Sequence, residues 1–266
     1  MTPRGNASRR HGRPPYRAVL VHGGPGAPGS LASVARELSH DGGVLEPWQT
    51  ARTVPGQVEE LSDQIERWAT PPVTLVGHSW GAWLSLLVAA EHPEKVRRVV
   101  LVGSGPLRAR YAPGIVRHRR ARLTLAEWQE FKRVGRRLWT RTGRPSSSSL
   151  RRLGELAGVA DSYQLLPRPR TEARVDPLAF RAISEEDGRM RRSGALYRAV
   201  RRIRAPVVVL HGADDSHPVE GVVEPLRDAG LRPRVIVFPR CGHEPWRERY
   251  ARAPFFKVLR KEITRA

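Results

Sequence analysis

The chain has 266 residues, 39% apolar and 27% charged, which suits one globular domain with a sizeable core and excludes both a peptide and a multidomain assembly. Its 47 Lys and Arg against 26 Asp and Glu give a formal charge of +21, and only four of those basic residues are Lys. The single cysteine, Cys241, excludes an intramolecular disulfide and a multi-cysteine metal cluster.

Residues 1–16 are rich in Arg, Gly and Pro, lack the apolar stretch of a signal peptide, and read as a disordered basic tail. A first buried strand is predicted over Ala18 to Val21, and Val44 and Leu45 mark a shorter one. Val58, Leu61, Ile65 and Trp68 follow at helical spacing. Val73 to Val76 is the next strand, and the nearly all-apolar Ala82 to Ala90 is the next helix. That run is broken by Ser85 and Glu91, short of the roughly 20 residues that span a bilayer. A soluble, cytoplasmic protein with no membrane partner is therefore expected.

Val99 to Val102, Val207 to Leu210 and Val235 to Phe238 are further strands, and Phe255, Val258, Leu259 and Ile263 line one side of a closing helix. Continuous apolar runs alternating with helices predict an α/β fold, a mostly parallel sheet flanked by helices. The alternation stops between residues 105 and 204, which read as an inserted helical cap. The core is then 17–104 and 205–266. Within the cap, Thr124 and Glu127 form a capping box ahead of Trp128, Phe131, Val134 and Leu138. Pro145 and the serines 146–149 read as a flexible break, and Asp176-Pro177 and Ala205-Pro206 as helix stops.

Leu75-Val76-Gly77-His78-Ser79-Trp80-Gly81 runs from a strand through G-x-S-x-G into a helix. A serine on that turn is forced outward, and the helix start aims backbone N–H groups at the site, where they favour a developing oxyanion. A hydroxyl is a poor nucleophile near neutral pH and needs a base oriented by an acid. Two later strands end in such groups: His211-Gly212-Ala213-Asp214-Asp215 and Pro239-Arg240-Cys241-Gly242-His243. After the first strand, His22-Gly23-Gly24-Pro25-Gly26 lets the backbone approach a carbonyl, so that Gly24 and Trp80 N–H can form an oxyanion hole. His22 and His78 read as packing and hydrogen-bonding groups, and His92, His211 and His217 as structural. Cys241 reads as inert. Asp214, Asp215 and His217 do not make a metal site, because adjacent carboxylates point apart in extended chain.

These motifs resemble the α/β-hydrolase superfamily and, within it, the prolyl iminopeptidase-like branch, which carries H-G-G-P-G and G-x-S-W-G. The resemblance implies an α/β-hydrolase fold with catalytic Ser79, His243 and Asp215, Asp214 being the alternative acid. It implies a serine hydrolase that cleaves an ester or amide through an acyl-enzyme, with no cofactor and no metal. In that branch acidic cap residues bind a protonated amino terminus, and Glu185, Glu186 and Asp187 are the one acidic cluster here. The chain departs from the branch after the second core strand, where Leu45 to Arg52 replaces the usual D-x-R-G-x-G-x-S loop. It also departs at Ala82, where a glycine is usual, and before Ala18, where the leading hairpin does not fit.

Residues 105–204 hold 25 Lys and Arg against 9 Asp and Glu, so most of the basic excess lies in the cap. Such a field attracts anionic substrates and repels cationic ones. A small-molecule or peptide substrate is expected, a neutral or anionic acyl compound rather than chiefly an N-terminal proline peptide. The alternative is a basic binding protein for an acidic partner or nucleic acid on a vestigial hydrolase core. Aromatics interleaved with Arg are sparse and no nucleic-acid motif occurs, so nucleic acid is not the expected partner.

Overall fold

The structure, a computed structural model, describes residues 8–139, 145–167 and 173–265. Residues 1–7 of the expected tail lie outside this range. Its strands are β1 (Ser8–His11), β2 (Tyr16–Val21), β3 (Gly43–Pro47), β4 (Val73–His78), β5 (Val96–Val102), β6 (Val207–Gly212) and β7 (Arg234–Phe238). They form one sheet in the order β1-β3-β2-β4-β5-β6-β7, parallel throughout except for β1. The helices are α1 (Ala32–Leu38), α2 (Val54–Trp68), α3 (Trp80–Glu91), α4 (Ala112–Arg122), α5 (Leu125–Trp139), α6 (Ser147–Ala160), α7 (Pro177–Ser193), α8 (Ala195–Val200), α9 (Glu220–Asp228) and α10 (Arg252–Thr264). None of the described helices is long and apolar enough to cross a membrane.

Strand residues alternate between the two sheet faces, so each continuous apolar run feeds two cores. Val19, Leu75, Leu101 and Val209 pack with Leu61 and Ile65 of α2, Leu84 and Val88 of α3, Val200 of α8 and Leu226 of α9. Leu20, Val76, Val100 and Leu210 pack on the other face with Leu38 of α1 and with Phe255 and Leu259 of α10. Strand order reverses between β2 and β4, which opens a crevice beyond their carboxyl ends, where sheets of this type bind ligands. Gly23 and Ser79 stand at that crevice.

Three sequence expectations are corrected. Residues 8–11, expected in a disordered tail, form β1, which pairs antiparallel with β3 from Ser8↔Pro47 to His11↔Val44. Backbone pairing needs no apolar pattern at a sheet edge, and side chains reinforce it. Arg9 lies 4.7 Å over the Trp48 ring, and His11 Nε2 is 3.1 Å from Glu46 Oε2. The expected serine break instead starts α6, because Ser146 Oγ accepts the Ser149 N–H at 3.1 Å. Asp176-Pro177 likewise starts a helix: Asp176 Oδ1 accepts from Leu178 N and Ala179 N, and Pro177 occupies the first turn of α7, where it loses no hydrogen bond.

Between β5 and β6 the described chain is helical, α4 to α8. The Thr124–Glu127 box is formed, with Thr124 N–H donating to Glu127 at 2.9 Å. Arg119 of α4 grips Asp161, the residue after α6, through two hydrogen bonds of 2.9 and 2.6 Å. Burial pushes the Asp161 carboxyl up, but the guanidinium outweighs it and holds the group below its ordinary value. Asp161→Asn leaves Arg119 uncompensated and is expected to cost about 3 kcal/mol in denaturant unfolding. A loss under about 0.5 kcal/mol would show that this pair contributes as little as a surface ion pair.

Candidate active site

The crevice is built around Ser79. Its φ of +53° and ψ of −114° lie where an L residue goes only when its surroundings force it. The forcing is visible in the neighbours. A Cβ on Gly77 would stand 2.2 Å from Gly81 O, and one on Gly81 would stand 2.2 Å from Val21 O, so only glycine lets the turn close at both positions. Ser79 N–H donates to Val102 O of β5 at 3.0 Å, and the Trp80 indole donates to Gln57 Oε1 of α2 at 2.9 Å. Trp80 is the first residue of α3, so its backbone N–H has no intrahelical acceptor.

Gly23 and Gly24 line the same cavity as Ser79. His22, fully buried, holds their loop: Nδ1 donates to Gly23 O at 3.1 Å, and Nε2 accepts Gln49 N–H at 3.4 Å. Burial lowers its pKa to about 4, which keeps the ring neutral for this paired role. His78 donates from Nε2 to His243 O at 3.2 Å, and burial together with the charge on His243 holds it well below the ordinary histidine value. Both rings are thereby kept neutral in packing and hydrogen-bonding roles.

The turns after β6 and β7 bring Asp215 and His243 together. Asp215 Oδ2 lies 2.8 Å from His243 Nδ1, whereas Asp214 is turned to the Cys241 N–H at 3.3 Å. Burial alone would raise the Asp215 carboxyl, but the imidazoles of His243, His217 and His211 outweigh it and hold the group well below the carboxylate range. An ionised Asp215 makes Nδ1 the protonated nitrogen of His243 and leaves Nε2 as the acceptor. Burial opposes the charged ring, yet Asp215 outweighs burial, and the His243 pKa is raised. The backbone of His243 is fixed from the cap, its N–H donating to Asp161 O at 2.7 Å. Burial pushes the Cys241 thiol up, so it stays protonated and unreactive.

Ser79, His243, Gly23 and Gly24 line one cavity of about 500 Å³, roofed by Phe131, Leu150 and Leu153 and flanked by Phe180 and Trp246. Its acids are each engaged by arginine: Asp161 by Arg119, Glu155 by Arg152 and Glu244 by Arg247. The cluster Glu185, Glu186 and Asp187 is elsewhere. Glu186 accepts the Val54 N–H at 2.7 Å, filling an orphan donor at the start of α2. Glu185 and Asp187 border a separate depression beside Trp139, where burial raises Asp187 to about 7.

One contact of Asp215 was not foreseen from sequence. His217, read as structural, places Nδ1 2.8 Å from Asp215 Oδ1 and lines the cavity. Its position two residues past the acid, in the same turn, was the available signal.

Residues 18–253 match the model of the alpha/beta hydrolase family. The chain is similar to a 2-hydroxy-6-oxo-2,4-heptadienoate hydrolase of Pseudomonas putida, 27% identical over 254 residues that cover 85% of this chain and 81% of that protein. It is similar to a pimeloyl-[acyl-carrier protein] methyl ester esterase of Nitrosomonas europaea, 23% identical over 65% of each chain. Among solved structures, a proline iminopeptidase of Mycobacterium smegmatis shares the fold with a TM-score of 0.64 at 16% identity, covering 96% of this chain and 93% of that one. With its mostly parallel seven-stranded sheet flanked by helices, the chain belongs to the alpha/beta hydrolase family and is an enzyme of the hydrolase class.

Proposed function

We propose that the protein is a serine hydrolase acting on neutral or anionic acyl compounds, with Ser79 as nucleophile, His243 as base and Asp215 as the acid that orients it. The observation that carries this reading is the 2.8 Å contact between Asp215 and His243 in the cavity that Ser79 also lines. His243 Nε2 takes the Ser79 proton as Oγ bonds to the acyl carbon, and the carbonyl electrons move onto oxygen, which rests on the Gly24 and Trp80 N–H groups. The oxyanion collapses, the bond to the leaving group breaks, and that group leaves with the proton from His243. Water then repeats the sequence: its proton passes to His243, its oxygen bonds to the acyl carbon, and the acid is released as Ser79 recovers its proton. No step calls for a metal or cofactor, and activity is expected to be unchanged after EDTA treatment and dialysis. A loss restored by a divalent cation would contradict this mechanism.

The substrate class follows from charge and lining. A protonated amine entering the cavity would find its carboxylates already paired to arginine, while the apolar walls favour an acyl chain or ring. Glu185 and Glu186, of the acidic cluster that could have bound an amine, do not line it. This favours ester cleavage over prolyl iminopeptidase-like specificity. The test is a panel of short acyl esters beside proline and alanine arylamides. The reading expects the esters to be turned over at least tenfold faster in kcat/KM. Preference for the proline arylamide would overturn the substrate assignment while leaving the mechanism standing.

A further inference from the structure

We propose that His217 is a positioning residue, a second imidazole on Asp215 that fills one carboxylate oxygen so that the other is held for His243. The inference rests on the Ser79–Asp215–His243 mechanism above and assigns it a fourth participant. Asp215 is buried, and its two oxygens are divided between the rings. Oδ1 accepts both the backbone N–H of His217 at 2.9 Å and its ring Nδ1–H at 2.8 Å, while Oδ2 accepts from His243 at 2.8 Å. Two donors from one residue clamp Oδ1, and a carboxylate clamped on one oxygen cannot swing the other away from the catalytic ring.

His217 is itself anchored. His211 Nε2 donates to His217 O at 2.7 Å, and the following Pro218 restricts the backbone of residue 217. The His217 and His243 rings lie 4.5 Å apart at 28°, too close for both to carry charge at low cost. Asp215 and His211 face this pair from the β6 loop, Glu244 from the β7 loop, His78 from the Ser79 turn, and Arg119 and Asp161 from the cap. Burial, with the charge on His243 and Arg119, keeps His217 below the ordinary histidine value, while Asp215 raises His243. The proton taken from Ser79 is therefore kept on His243.

Removing the ring donor leaves Asp215 Oδ1 with one partner. The carboxylate then gains room to turn, and its hold on the His243 imidazolium weakens. His217→Leu is expected to lower kcat about tenfold with little change in KM. It is also expected to move the acid limb of kcat downward by roughly half a pH unit or more. His217→Asn keeps an N–H near the position of Nδ1 and is expected to recover most of the rate and the wild-type limb.

The experiment measures kcat and KM against pH for these two variants with a short acyl ester, alongside the proton NMR spectrum of the hydrogen-bonded ring N–H groups. Among the downfield imidazole protons of the wild type, one is expected to be lost in His217→Leu and a different one in His243→Ala. If His217→Leu does not fold, the wild-type spectrum and His217→Asn carry the test. A spectrum that loses no downfield imidazole proton in His217→Leu, an unchanged profile in that variant, or His217→Asn as impaired as His217→Leu would overturn the proposal. An active wild type with any of these results refutes only the role of His217. A folded wild type that neither turns over esters nor labels with a fluorophosphonate refutes the underlying mechanism as well.

Discussion

Ser79→Ala and His243→Ala are each expected to lower kcat/KM for an acyl ester by about 10⁴- to 10⁶-fold, and the double variant to be little worse than either. In the proposed mechanism nucleophile and base act as one unit. Without His243 the Ser79 proton has no acceptor, and without Ser79 the imidazole has nothing to activate but water. The backbone groups at Gly24 and Trp80 remain in each variant, so activity falls to a residual level above the uncatalysed rate. Additive losses would mean that the two side chains act independently. The same unit sets the pH dependence: His243 must be neutral to accept the proton, and Asp215 raises its pKa, so kcat/KM is lost as pH falls through a value above the ordinary 6.5. A limb below that value would contradict the Asp215–His243 contact.

Asp215→Asn is expected to cost about 10⁴-fold in kcat, whereas Asp214→Asn is expected to change it less than about threefold. The contrast comes from geometry. Asp215 accepts from His243 and His217, and an amide in its place offers a donor where both rings also donate, forcing the wrong tautomer of His243 or breaking the contact. The Asp214 carboxylate accepts the Cys241 backbone N–H at 3.3 Å, and an amide oxygen can accept the same N–H. Comparable losses in both variants, with the fold intact by circular dichroism, would remove Asp215 from its assigned role.

The core strands could be read from sequence because a strand buried on both faces is apolar at every position, as Val207 to Leu210 is. β1 could not, because Ser8, Arg9, Arg10 and His11 carry no pattern and their pairing depends on β3 some thirty-five residues away. α4 has no buried residues, so periodicity had nothing to mark; its place is set by Arg119 reaching Asp161. Ser146 and Asp176 show how one residue type serves a break or a cap, the choice being made by the helix that follows. At the crevice, Ser79, His243 and Gly24 could be singled out because each sits just past a strand end, and topology brings those ends together. The contacts of Glu186 and His217 could not be read from sequence for a common reason. Their partners, the Val54 N–H and one oxygen of Asp215, are defined only once the chain has folded around them.

The central claim is that Ser79 is an activated nucleophile. Labelling of the folded protein with a fluorophosphonate, read by mass at the Ser79 peptide, tests it most directly. The account predicts stoichiometric labelling in the wild type and none in Ser79→Ala or His243→Ala. Absence of labelling in the folded wild type, or labelling that persists in Ser79→Ala, would contradict it.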